Sequence, residues 1–194
     1  PALGQVMDHA AAEALLQQPV DLQPSMVPAA EAVERAAALL ASAKKPAILI
    51  GKGAAQARVE GLVKKLVETT GVPFYPMSMA KGMLPDKHPL SALSVRSTIM
   101  EEADVVMLVG ARLNWLLSRG HGKWNQQGQF IQLDIDPVEI DSNRHIAAPV
   151  IGDLRSSLEA LLTALEGKKM AMDAGWVPSL QAQSRVKNAK FAQR

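Results

Sequence analysis

Pro46-Ala47-Ile48-Leu49-Ile50-Gly51-Lys52-Gly53-Ala54-Ala55 is the stretch whose reading decides the fold. An apolar run of strand length stops at a Gly-Lys-Gly turn, and a helical pattern follows at once. A strand apolar on both faces belongs in the interior of a parallel sheet. The two glycines let the backbone turn sharply and approach a ligand, and the next helix is expected to aim its N–H groups at the same spot. α/β proteins hold phosphates in this way. The loop alone is equally consistent with a plain strand-to-helix turn that holds nothing. Gln56 stands where a full dinucleotide fingerprint has its last glycine, and the Gly-x-x-x-x-Gly-Lys-Ser/Thr spacing of a P-loop is missing.

Working outward, Pro28 marks a first helical position, and Val33, Ala36, Ala37 and Leu40 recur at helical spacing up to about Ala43. Downstream, Val59, Leu62, Val63, Leu66 and Val67 mark an amphipathic helix that Gly71 ends. Val72 to Pro76 is a short strand whose prolines push it towards an edge. Met77 to Pro89 reads as a long loop, and Ser94 to Glu102 as a helix. Asp104 to Gly110 is the clearest strand, followed by a helical turn over Leu113 to Leu117 and a glycine-rich connection from Arg119 to Gly128. Phe130 to Ile135 and Pro149 to Gly152 are further strands, and Leu154, Leu158, Leu161, Leu162 and Leu165 form a helix closed by Gly167.

This alternation predicts an α/β fold: a doubly wound parallel sheet of five or six strands with helices on both faces, Rossmann-like. Residues 1–27, broken by Pro19 and Pro24 and kept polar by Gln17, Gln18 and Gln23, read as a lead-in. Residues 28–167 form the nucleotide-binding domain, and 168–194 a tail or linker. The opening at Pro1 is read as that of a piece excised from a larger protein.

In a chain of 194 residues, 48% hydrophobic and 21% charged, the composition is that of a globular domain, not a disordered one. No apolar run approaches the ~20 residues of a membrane helix, and no secretory signal is visible. Without cysteine, disulfides, thiolate metal sites and cysteine nucleophiles are excluded, and a cytoplasmic setting is expected. A net charge of +2 does not point to nucleic acid; the basic cluster Arg185, Lys187, Lys190 and Arg194 reads as a solvated helix face.

In an open parallel sheet, ligands bind beyond the carboxyl ends of the strands. Those ends supply Gly51-Lys52-Gly53, Ser78-Met79-Ala80-Lys81-Gly82, Gly110-Ala111-Arg112-Leu113-Asn114, Asp134-Ile135-Asp136 and Gly152-Asp153. Cations for phosphates and carboxylates for hydroxyls or an exocyclic amine suit a nucleotide better than a metal. The second strand ends in Pro76-Met77-Ser78, without the acid that an ordinary NAD dehydrogenase places there. His9, His88, His121 and His145 are scattered singly, Glu31, Glu34, Glu101 and Glu102 face solvent on helices, and no Gly-x-Ser-x-Gly elbow exists. Met77, Met79 and Met83 are gap-fillers or the lining of an adaptable pocket, and Trp115 and Trp124 are anchors for packing or a domain contact.

Read in order, these strand ends resemble the central domain of thiamine-diphosphate-dependent decarboxylases and carboligases, a doubly wound NAD/FAD-binding type of sheet. The oxalyl-CoA decarboxylase branch is the nearest in likeness and the 2-hydroxyacyl-CoA lyase branch the next. The likeness is carried by Ile50 to Ala55, Pro76 to Gly82, Val109 to Trp115, Phe130 to Ile135, Glu139 to Asn143 and Pro149 to Asp153, and runs from about Pro28 to Leu165. It implies an ADP activator site: Gly51, Lys52 and Gly53 at the phosphates with Arg96 and Arg112, Asp134 and Ile135 at ribose and adenine, and Asp153 at the adenine edge. Met79, Ala80, Lys81 and Asn114 would line the approach of a coenzyme A thioester. The resemblance further implies that thiamine diphosphate and magnesium are held by flanking domains of the same chain, within a full-length tetramer. The Gly-Asp-Gly motif of the thiamine diphosphate site is not matched by Gly152-Asp153-Leu154, so this piece alone is expected to be inactive.

Overall fold

The computed structural model describes residues 6, 8–16 and 25–192. The breaks at Pro19 and Pro24 and the glutamines at 17, 18 and 23 lie outside the described residues. Within the described part of the lead-in is one short helix, α1 (His9–Leu16).

The chain then runs through α2 (Ala30–Ser42), β1 (Pro46–Ile50), α3 (Lys52–Gln56), α4 (Glu60–Thr70), β2 (Phe74–Pro76), α5 (Arg96–Glu102), β3 (Val105–Val109), β4 (Gln129–Asp134), β5 (Ala148–Ile151), α6 (Leu154–Leu165) and α7 (Trp176–Ala192). The five strands form one parallel sheet in the order β2-β1-β3-β4-β5. The chain leaves β1 in one direction to make β2 and returns on the other side to make β3, so the strand order reverses between β1 and β3. β1 and β3 are buried along their whole length, as interior strands of a doubly covered sheet should be.

Strand alternation divides the core into two layers. Ile48, Ile50, Met107, Val109, Ile131 and Leu133 face α2, α4 and α6. Ala47, Leu49, Val106, Leu108 and Phe130 face α5, α7 and the irregular segment between β3 and β4. β2 lies at an edge, as its prolines require. Its free side is closed by the 90–92 segment: Phe74 N donates to Leu90 O at 3.0 Å, and Ala92 N donates to Phe74 O at 2.8 Å.

Three local features differ from the expectation. Pro28 precedes the cap residue Ala29 instead of opening α2, because Asp153 N donates to Met26 O at 2.8 Å and pins residues 26–28 across the end of β5. The helical pattern after Gly53 is interrupted by Arg58, at φ 51°, which separates the five-residue α3 from α4. Within the stretch expected as a tail or linker, α7 packs back on the sheet layer. Trp176 and Leu180 are buried, Trp176 Nε1 donates to Pro46 O at 2.9 Å, and Thr98 Oγ1 donates to Gln183 Oε1 at 2.6 Å.

The β3–β4 connection covers the second face without an α-helix. Leu113, Leu117 and Trp124 supply the apolar cover, and Trp124 Nε1 donates to Leu117 O at 2.7 Å. Ser118, Arg119 and Gly120 are successively left-handed, at φ 50°, 53° and 76°. Irregular backbone over a core needs donors for its carbonyls. Arg144 supplies them, donating to Gly120 O (2.6 Å), Asn125 O (3.0 Å), Gln126 O (3.1 Å) and Gly128 O (2.9 Å) while its guanidinium lies 4.8 Å over the Phe130 ring. Burial pushes the pKa of this guanidinium below its ordinary value.

Candidate functional site

The point of strand reversal opens a cleft of about 510 Å³ at the carboxyl ends of β1, β3 and β4. That is the place and the size of a small-ligand site in an open α/β sheet. From β1 come Gly51, Lys52, Gly53 and Gln56; from β2, Met77, Ser78 and Met79; from β3, Gly110, Ala111, Arg112, Asn114, Leu116 and Leu117; from β4, Asp134, Ile135, Asp136 and Glu139.

The cleft floor is set by glycine. Gly51 N donates to Val109 O at 2.9 Å, and a Cβ on Gly51 would overlap Gly110 O and Ala111 Cα. Gly110, at φ 55°, would meet Ala54 N with any side chain. The glycines therefore let the ends of β1 and β3 touch backbone to backbone. This corrects the expectation that the helix after the turn aims its N–H groups at a ligand. α3 has five residues, Gly53 N donates to Gly110 O at 2.9 Å, and Ala54 N donates to Gly51 O at 3.2 Å.

The charged groups sit on the walls. Lys52 is exposed and makes no ion pair among the described residues. Asp134 is half-buried at the end of β4, where its Oδ1 accepts from Asp136 N at 3.2 Å. Arg112 is ion-paired with Glu139. Asn114 caps the 3-10 turn Trp115–Gly120, its Oδ1 accepting from Leu116 N at 3.0 Å. Large apolar groups stand exposed around the rim: Met79, Trp115, Ile135 and Val138. Trp124, by contrast, is an internal anchor, edge-on to Phe130 at 5.3 Å between ring centroids.

Of the expected site residues, Gly51, Lys52, Gly53, Met79, Arg112, Asn114, Asp134 and Ile135 come together at this cleft. Four stand apart from its lining. Arg96 lies over the Tyr75 ring at 5.8 Å and donates to Leu116 O, so it holds the segment behind the wall. Ala80 is fully buried and Lys81 points to solvent. Asp153 caps α6, its Oδ1 accepting from Ser156 N at 3.1 Å. Gln56 and Glu139 line the cleft without having been singled out for it. Asp136-Pro137-Val138-Glu139 carries the signal for the second: an Asp cap with proline at the first helical position puts Glu139 in a tight turn directly beyond β4. Among the described residues, no three His, Asp or Glu side chains gather to hold a metal, and no helix is long and apolar enough to cross a membrane.

Residues 33–161 match the family described as thiamine pyrophosphate enzyme, central domain. The oxalyl-CoA decarboxylase of Escherichia coli (strain K12) is 50% identical over 153 residues, which cover 79% of this chain and 27% of that protein. The 2-hydroxyacyl-CoA lyase of Oryza sativa subsp. japonica is 40% identical over 159 residues, covering 80% of this chain and 27% of the relative. Human 2-hydroxyacyl-CoA lyase 1 is 41% identical over 136 residues, 70% of this chain and 24% of the relative. The chain thus spans about a quarter of the length of these relatives. An X-ray structure of an enzyme described as thiamin diphosphate-dependent, from Mycobacterium smegmatis, superposes with a TM-score of 0.61 at 17% identity, over 78% of this chain and 31% of that one. That superposition agrees with the fold read from the strand order, and the sequence matches settle the family: the chain belongs to the thiamine pyrophosphate enzymes, of which it is a central domain related to those of oxalyl-CoA decarboxylase and 2-hydroxyacyl-CoA lyase.

Proposed function

We propose that this chain is the ADP-binding central domain of a thiamine-diphosphate-dependent oxalyl-CoA decarboxylase. The observation that carries the reading is the cleft over the β1–β3 junction, whose lining combines Lys52 from the end of β1, Arg112 from beyond β3 and the Asp134 carboxylate at the end of β4. Cations that reach a diphosphate and a strand-end carboxylate that accepts from ribose hydroxyls are the donor and acceptor set of a nucleotide. The cleft volume of about 510 Å³ suits a mononucleotide. The close glycine crossing of β1 and β3 forms the floor beneath the place where the diphosphate lies. Ile135, exposed at the rim, offers an apolar face to adenine.

In the assembled parent, oxalyl-CoA would exchange its carboxylate for a proton, giving formyl-CoA and carbon dioxide; thiamine diphosphate, anchored with magnesium by flanking domains, would supply the electron sink. The central domain contributes binding and regulation: ADP in its cleft, and Met79 and Asn114 on the side from which the coenzyme A thioester approaches, with Lys81 beyond the cleft. By itself the piece does not decarboxylate. The parent is a cytoplasmic homotetramer that needs neither nucleic acid nor membrane.

Calorimetric titration of the chain with ADP, CoA, FAD and NAD tests the reading; ADP binding without NAD binding is the expected result. Lys52→Ala and Asp134→Ala should each weaken ADP about ten-fold or more, the scale of one charge-assisted hydrogen bond. Unchanged affinity in both variants overturns the site assignment. Turnover of oxalyl-CoA by the full-length parent distinguishes the decarboxylase from the 2-hydroxyacyl-CoA lyase branch.

A further inference from the structure

The cleft is not simply a cationic cradle. Its lining carries two cations, Lys52 and Arg112, against three carboxylates, Asp134, Asp136 and Glu139. One of the two cations is already engaged, because Arg112 Nη1 donates to Glu139 Oε1. The two partners are anchored unequally. The Glu139 side chain is 24% exposed and that of Arg112 57%. The Glu139 backbone is fixed by a capped turn: Val138 N donates to Asp136 Oδ1 at 3.0 Å, Glu139 N donates to Asp136 O at 3.2 Å, and Ser142 Oγ donates to Glu139 O at 3.1 Å. The turn holds the backbone that carries the Glu139 carboxylate, and the more exposed arginine is the partner with more room to move.

We propose that Glu139 is a built-in competitor for the ligand phosphate: it occupies Arg112 while the cleft is empty and yields it to a phosphate oxygen when a nucleotide enters. The inference rests on the nucleotide reading of the cleft given above and adds its regulation. Three physical points support it. A carboxylate and a phosphate oxygen offer a guanidinium the same fork of acceptors, so one replaces the other without rebuilding the donor. A half-exposed ion pair of this kind is weak enough to be exchanged on binding. Once displaced, Glu139 stays beside the bound phosphate as a like charge, so it opposes ligands in proportion to the negative charge they bring to this wall.

Removing the competitor therefore strengthens binding, the opposite of what deleting a polar cleft residue does when that residue contacts the ligand. Glu139→Gln should tighten ADP about two- to five-fold, the range of an exposed pair. Arg112→Met should weaken it, and Glu139→Gln placed in the Arg112→Met background should recover less than it gains in the wild-type chain. Glu139→Ala, which keeps no hydrogen-bonding group, is the second variant and should behave like the glutamine. Inorganic pyrophosphate and adenosine serve as separate probes: the gain should appear with pyrophosphate and vanish with uncharged adenosine. ADP binding that is unchanged or weakened in both Glu139 variants overturns the competitor while leaving the nucleotide site standing. Absence of ADP and pyrophosphate binding in every variant overturns the nucleotide reading and this inference with it.

Discussion

Arg144→Met is the perturbation whose cost can be worked most directly from the structure. The guanidinium donates to the carbonyls of Gly120, Asn125, Gln126 and Gly128 and covers the face of Phe130. Of the four acceptor residues only Gly120 is buried, so its carbonyl is the one left bare, at about 1–3 kcal/mol. The other three regain water and lose about 0.5 kcal/mol each. The cation over Phe130 adds about 0.5–1 kcal/mol. Together these put the loss near 4 kcal/mol, a fall in Tm of about 8–16 °C for a chain of this length. Urea unfolding followed by tryptophan fluorescence measures it, since Trp124 packs on Phe130 beneath the clamp. Arg144→Lys keeps the charge but cannot span four carbonyls, so about half the loss should persist. A methionine variant within 0.5 kcal/mol of the parent chain, or a lysine variant equal to it, would refute the idea that one arginine holds the β3–β4 connection.

The other predictions follow from single contacts. Gly51→Ala drives a methyl group into Gly110 O and should cost about 3 kcal/mol in urea unfolding; a loss below about 1 kcal/mol would mean the β1–β3 contact is not tight. Asp153→Ala should remove about 1 kcal/mol of stability as a lost helix cap and leave ADP affinity within about two-fold, whereas a ten-fold affinity loss would place the carboxylate in the nucleotide site. The hydrogen bond to Glu102 raises Lys45 above its ordinary 10.5, so its stabilising contribution is complete below about pH 10.5 and fades as pH climbs through the folded-state value. Lys45→Met, which also removes the cation 5.5 Å over Trp176, should therefore be less stable than the parent chain near neutrality, with the gap closing in alkali. A gap that stays constant to pH 12 would contradict this assignment.

The strands were legible because each interior one is an unbroken apolar run bounded by charge or glycine, and Pro73 and Pro76 announced the edge. Helices with a regular apolar stripe, such as that of Leu154 to Leu165, were equally plain. α7 was not, since among its described side chains only Trp176 and Leu180 near its start are buried, and polar contacts such as Thr98 to Gln183 tether it further along. The site was legible by position: strand ends converge wherever a parallel sheet reverses its order, and eight of the twelve expected residues meet there. What local sequence could not say is which partner each group takes. Gly51 and Gly53 look like a phosphate loop, yet their smallness serves the crossing with Gly110. Asp153 looks like a strand-end acid, yet Ser156 three residues on makes it a cap. The Arg144 clamp joins carbonyls between 16 and 24 residues away, a relation that no periodicity reveals.

The most direct test of the central claim is an amide chemical-shift titration of the chain with ADP. Shifts concentrated at Gly51–Gly53, Gly110–Asn114 and Asp134–Asp136, saturating together, are the predicted result. A response confined to the polar groove between residues 86–94 and the 181–188 stretch of α7, or no saturable response at all, would contradict it.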